Sequence, residues 1–214
     1  MPIRLSTILQ LLERIFKGAL ACLMLLGGLM TSCSDDSVAE SWVYNFADVE
    51  TTAGGSSTLY LDSGDTLRVS QSSTFEFETD TVVRYIVGYV VDERGEARVS
   101  SGARVLTGSP IAADGELRAE EVGVESVWIG GHYLNLRLSV WNTGGSHTFG
   151  FVKIEDGDEG LSLLLYHDAD SLEGVYHYTT YLSCNLESAA ERGDSVRIAI
   201  NEEDEGWQTY GFCY

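Results

Sequence analysis

The chain has 214 residues, with 13 Lys+Arg against 33 Asp+Glu and a formal net charge of −20. Such a balance repels phosphate backbones and offers no counterion-release gain, so it argues against nucleic-acid binding and favours cationic partners. The length suits one large or two small domains, and the scarcity of proline, only Pro110 beyond the first few residues, excludes a flexible proline-rich stalk.

The chain opens on a secretory pattern. Arg4, Arg14 and Lys17 supply positive charge ahead of the uncharged run Gly18 to Met30, GALACLMLLGGLM. That run falls short of the roughly 20 apolar residues needed to span a bilayer, and Glu13, Arg14 and Lys17 block its extension. Met30-Thr31-Ser32-Cys33 then places two small residues before a cysteine, as a bacterial lipobox does. Cleavage at Cys22 would leave most of the apolar run on the mature side, and plain secretory cleavage near Ser32 would leave a lone N-terminal thiol. The expectation is therefore a signal peptide over residues 1–32 and lipid attachment at Cys33, with anchoring in the outer membrane. Ser34-Asp35-Asp36 resembles an acidic surface-export signal and begins a polar tether over residues 33–41. Removing Arg4, Arg14, Lys17 and Glu13 leaves 10 basic against 32 acidic groups, a net of −22 for the mature protein.

From Trp42 onward the hydrophobic period is two almost throughout, which predicts an all-β protein. Leu59-Tyr60-Leu61 and Leu67-Arg68-Val69 flank the turn Asp62-Ser63-Gly64-Asp65 and read as a hairpin. Phe75 and Phe77 alternate with Glu76 and Glu78, and Val82 to Val91 holds a single charge, Arg84, as a central strand or barrel stave would. A small β-barrel fits residues 42–115. Residues 112–123, AADGELRAEEVG, are charged and poor in large apolar groups, so the second domain is expected over 116–214. Its clearest strand is Tyr133 to Trp141, where Leu134, Leu136, Leu138 and Val140 alternate with polar or aromatic residues. Six more strands are read at Val124 to Ile129, Thr148 to Val152, Leu161 to His167, Val175 to Leu186, Ser195 to Asn201 and Trp207 to Tyr214, giving a seven-stranded sandwich. Only Glu187 to Arg192 looks helical, as one connecting turn.

Three strings, LYLDSGDTL at Leu59 to Leu67, RYIVGYVVD at Arg84 to Asp92 and SVWIGGHYLNL at Ser126 to Leu136, resemble the NigD-like lipoproteins of Bacteroides and related bacteria. The likeness runs on through LSLLLYHDADSLEGVYHYTTYLSCNL, DSVRIAI and QTYGFCY. It implies an N-terminal OB-like barrel, a C-terminal β-sandwich and a cell-envelope lipoprotein. Because the family takes its name from a bacteriocin operon, it also implies an immunity or accessory role.

The residues themselves offer little chemistry. Cys184 and Cys213 are the thiols left after Cys22 and Cys33, and an even number permits a disulfide. Cys184 shares a strand face with Leu182 and Leu186 while Cys213 lies opposite Tyr210, Phe212 and Tyr214, so two separate buried thiols are the alternative. His167-Asp168-Ala169-Asp170, Asp156-Gly157-Asp158-Glu159-Gly160 and Glu202-Glu203-Asp204-Glu205-Gly206 read as solvated loops, without the ligand spacing of a metal site. No GxSxG, HExxH or phosphate loop occurs, so neither a catalytic residue nor a cofactor is expected. Tyr176, His177, Tyr178 and Tyr181, with Tyr133 and Trp141 on the outer face of another strand, could form a platform for a protein partner or a glycan. The functions weighed are a non-enzymatic lipoprotein binding a protein partner, a glycan-binding surface lipoprotein, and a glycosidase using paired carboxylates.

Overall fold

The computed structural model describes residues 41–214 except 116, 143, 156–159 and 170–173. The expectations for the signal peptide, Cys33 and the tether up to Glu40 lie outside these residues, as does most of the 156–160 loop. Among the described residues all regular structure is β.

The first sheet contains β1 (Val43–Thr51), β2 (Ser57–Leu61), β3 (Thr66–Arg68), β4 (Thr81–Val91) and β5 (Ala97–Arg104) in the order β3-β2-β1-β4-β5. The hairpin turn is as read, with Gly64 at φ 92° and its N–H donating to Leu61 O at 2.9 Å. Beyond β3, Val69 bridges Ala97 of β5 in parallel and Ser70 N–H donates to Ala97 O at 2.8 Å, so the two edges of the sheet meet. Closure leaves the inward residues Ala47, Val49, Leu59, Val87, Ala97 and Val99 in one core. Phe75 and Phe77 belong to no strand ladder. They lie in an extended segment after β3, with their rings packed on Tyr85 at centroid distances of 6.0 and 5.2 Å.

The sandwich is made of two further sheets. One orders β14 (Gly206–Cys213), β13 (Ser195–Glu202), β11 (Leu161–Ala169), β10 (His147–Lys153) and β7 (Ile111–Ala112). The other orders β6 (Leu106–Gly108), β12 (His177–Asn185), β9 (Tyr133–Trp141) and β8 (Gly123–Gly130). All seven expected strands are present within a residue or two. β6 and β7 are additional: β6 pairs in parallel with β12 and β7 with β10. The core is aliphatic, with Leu134, Leu136 and Leu138 facing Leu163, Ile198 and Ile200. Residues 187–189 form hydrogen-bonded turns, Ala189 N–H donating to Leu186 O at 2.8 Å, without becoming a helix.

One charged side chain joins the two parts. Arg84, on the outward face of β4, has its side chain only 1% exposed. Its Nε donates to Ser183 Oγ at 2.8 Å, Nη1 to Asp48 Oδ1 at 3.3 Å, and Nη2 to both Asp62 oxygens at 2.9 and 2.7 Å and to Asn135 Oδ1 at 3.0 Å. The guanidinium lies 3.7 Å from the centroid of the Tyr133 ring, whose hydroxyl donates to Asp48 at 3.0 Å. Asp48, Asp62 and Arg84 come from the first sheet, and Tyr133, Asn135 and Ser183 from the outer face of the sandwich. Beside them Phe46 of β1 inserts between Trp128 and Tyr181, at centroid distances of 5.2 and 5.8 Å. Gly130 sits so close to Asp62 that a Cβ there would lie 2.5 Å from Oδ2 and 3.0 Å from Asn135 Nδ2.

Removing the guanidinium would strand Asp48 and Asp62 in a half-buried junction. Arg84→Ala is expected to cost about 3 to 5 kcal/mol, the loss typical of one partner removed from a buried ion pair. Gly130→Ala, which pushes a methyl into the same cluster, should cost about 1 to 3 kcal/mol. Urea unfolding of the two variants beside wild type measures both, and an Arg84→Ala midpoint equal to wild type would show that the cluster contributes no stability.

Candidate functional site

The expected aromatic platform divides into two. On β9 the outward residues Tyr133 and Asn135 should be wet by alternation, yet both are buried because the first sheet covers this end. Tyr133 is therefore part of the junction rather than an open platform, and burial followed by the Asp48 carboxylate pushes its phenol up to about 12. Tyr181 is likewise half-buried against Phe46. Farther along the same strands the cover ends. Arg137 and Thr179 are exposed and converge on Glu125, at 2.6 and 3.2 Å.

The far end of β9 and β12 holds the remaining aromatic groups. Trp141 pairs across with His177, their ring centroids 3.9 Å apart in an edge-on arrangement. Glu203, from the turn between β13 and β14, accepts Trp141 Nε1–H at 3.0 Å on one oxygen and faces His177 Nε2 at 3.4 Å with the other. The ladder continues past the strand ends, Asn142 N–H donating to Tyr176 O at 2.7 Å and Val175 N–H to Asn142 O at 3.1 Å. Asn142 Nδ2 also donates to the Tyr176 hydroxyl at 2.6 Å. At Gly174 a Cβ would come within 2.7 and 2.9 Å of Trp141 side-chain atoms, so the chain lies directly on the indole. Trp141 is nonetheless 36% exposed, Tyr176 57% and Val175 89%.

Inside the same end, between the sheets, the aliphatic core gives way to stacked rings. His167 is buried, lies flat against Phe149 at 4.6 Å, and sits with Nε2 3.0 Å from Nδ1 of His147. Its own Nδ1 lies 3.1 Å from Glu120 O, which only accepts, so that nitrogen carries the proton. Neutral His167 then accepts through Nε2 from His147 Nδ1–H, and His147 Nε2 is buried without a hydrogen-bond partner among the described residues. Of the loop expected at 167–170, His167 is thus a core residue at the end of β11. Asp168 forms a surface ion pair with Arg118 at 2.8 Å. Glu202 of the acidic turn is buried and accepts the Tyr210 hydroxyl at 2.5 Å, while Asp204 and Glu205 are exposed. Among the described residues no group of three or more His, Cys, Asp or Glu could hold a metal ion.

The two thiols do not meet. Cys184 is fully buried in the sandwich core, where burial pushes its pKa up to about 12. Cys213 is exposed on β14 with Sγ 3.7 Å from Gly193 O, and both thiols are free. Cys213 is thus not a buried residue.

Residues 105–214, just over half of the chain, match the NigD-like C-terminal beta sandwich domain. The chain belongs to the NigD-like family. It is 25% identical to a NigD-like immunity protein from Bacteroides caccae, over 80% of this chain and 96% of that one, with a TM-score of 0.64. A Bacteroides vulgatus protein at 18% identity covers 81% of this chain and is covered over 91%, with a TM-score of 0.67. A candidate toxin-related protein from Parabacteroides distasonis at 20% identity covers 81% and is covered over 93%, with a TM-score of 0.63. These last two share the fold. No curated protein matches the chain. The three strings that carry the NigD-like resemblance supply Asp62, Arg84, Gly130, Tyr133 and Asn135, all at the junction, whereas Trp141 lies outside them.

Burial of His167, with His147 beside it, lowers its pKa below the ordinary histidine value. The unfolded chain then binds a proton that the native state resists, so stability is full above about pH 6.5 and falls on acidification through that value. Between about pH 7.5 and 5.5 the slope for one such group is at most about 1.4 kcal/mol per pH unit. Urea midpoints of wild type should fall over this interval and those of His167→Phe should fall less. Equal slopes would mean that the histidine stack is not a source of acid sensitivity.

Proposed function

We propose that this NigD-like chain is a non-enzymatic, lipid-anchored protein of the cell envelope that binds a protein partner in an immunity or accessory role. The observation that carries this reading is the likeness to the Bacteroides caccae NigD-like immunity protein, which spans 96% of that chain. The acidic character of the sequence supports a partner of opposite charge, because a strongly negative surface speeds encounter with a cationic protein and discourages adhesion to anionic lipid. Attachment falls to Cys33, whose acyl chains would supply the multiple hydrophobic signals that stable anchoring needs. Ser34-Asp35-Asp36 favours display on the outer leaflet. In the first sheet, the strand order β3-β2-β1-β4-β5 with its Val69–Ala97 closure supports an OB-like barrel that precedes the sandwich in the chain.

Two measurements test this reading. Wild type is expected to pellet with membranes and to be removed by protease from intact cells, while Cys33→Ala is expected in the soluble fraction. A Cys33→Ala protein that still pellets would overturn lipid anchoring, and wild type resistant to protease until lysis would place it in the periplasm. For function, a deletion strain and its complemented parent are challenged with protein antibacterials secreted by related strains. Greater sensitivity of the deletion strain to one of them is expected, and equal sensitivity across the panel would remove the immunity role.

A further inference from the structure

We infer that the uncovered end of the β9–β12 face, centred on Trp141, is the docking surface for a cationic protein partner; this rests on the protein-partner reading above. The same face is already used for a protein–protein type of contact at its other end, where Tyr133, Asn135 and Ser183 meet the first sheet. β9 then runs about 27 Å from Tyr133 to Trp141, clear of that cover. At the far end three features coincide.

The first is exposed apolar area held in place. The indole of Trp141 is fixed on three sides, by Glu203 at Nε1, by the His177 ring and by the backbone at Gly174, and Tyr176 is fixed by Asn142. Rings held rigid in the free protein lose little entropy on binding, and tryptophan and tyrosine are the side chains that most often dominate interfaces. Val175, at 89% exposed, extends the same apolar area. The second feature is charge. Residues 41–214 carry 10 basic and 29 acidic side chains. Arg84, Arg94, Arg104, Arg118 and Arg137 already face carboxylates of their own chain. Glu203 borders Trp141, exposed Asp204 and Glu205 follow it in the same turn, and Arg137, the basic group on this face, is paired with Glu125. The third is continuity along one rigid strand pair, which presents the rings and the carboxylates together. A complementary surface offers an apolar or aromatic anchor ringed by Lys or Arg. A neutral glycan could stack on the rings and donate hydroxyl hydrogen bonds to the acids, but it would gain no attraction between opposite charges and its binding would not weaken with salt.

The test uses the mature lipoprotein in detergent, titrated with a lysine-rich peptide carrying two tryptophans, with its glutamate-rich counterpart, and with neutral oligosaccharides. The lysine-rich peptide is expected to bind, about tenfold more weakly to Trp141→Ala and measurably more weakly to the double variant Asp204→Asn, Glu205→Gln. Raising salt from about 50 to 300 mM should weaken it further. Tyr60→Ala, on β2 of the first sheet, should bind as wild type. Urea midpoints and retained binding by Trp141→Phe separate a lost anchor from a lost fold. Wild-type affinity in Trp141→Ala, no binding of the lysine-rich peptide, or salt-insensitive binding of oligosaccharide alone would each overturn the inference. The antibacterial challenge separates this outcome from the broader reading. If Trp141→Ala protects cells as wild type does, the partner docks elsewhere and the immunity reading stands; if deletion leaves sensitivity unchanged, that reading fails whatever Trp141→Ala does.

Discussion

A guanidinium with almost no access to water is the constraint on which the arrangement of this molecule depends. Arg84 cannot shed its charge, so burying it demands carboxylates and acceptors on every side. No single sheet supplies them. β1 and the β2–β3 turn bring Asp48 and Asp62, while β9 and β12 bring Asn135 and Ser183. Lysine, with its compact ammonium, could not reach four such partners in one plane or lie over the Tyr133 ring in the same way. The cluster therefore fixes which faces of the two parts meet, and Gly130 lets the β8–β9 turn come near enough to Asp62 to complete it.

Much of this architecture is legible in the sequence, and the failures have physical causes. Tyr133 to Trp141 is found as read because Leu134, Leu136, Leu138 and Val140 keep a strict period of two. β5 escapes notice because ARVSSGAR holds only one large apolar residue, Val99, and owes its place to pairing with β4. β6 and β7 are two or three residues long and draw their order wholly from the strands they join. Phe75 and Phe77 do half-bury their rings against the core, but proximity to Tyr85 holds them without a ladder, a distinction that alternation alone does not carry.

The site was harder to read than the fold. Alternation assigns Tyr133, Asn135 and Trp141 to one face, and it is right, but it is silent on which part of that face another sheet will cover. The lone charge within Val82 to Val91 was the available signal for the junction, since an arginine in an apolar strand must find partners. Nothing comparable announces His147 and His167. They stand 20 residues apart, and only the β10–β11 register sets Phe149 opposite His167 and so stacks the rings.

β1 has one more consequence. It lies in the middle of its sheet, with every residue from Val43 to Thr51 paired to β4 and Ala47 to Thr51 paired also to β2. Its hydrogen bonds run perpendicular to the strand. A pull on the chain at Ser41 therefore acts along β1 and across all those bonds at once, so they must fail together in shear instead of opening one by one like a zipper. The first strand among the described residues is thus also the one best placed to bear a mechanical load, and the Phe46 and Asp48 contacts carry that load from the sheet into the sandwich.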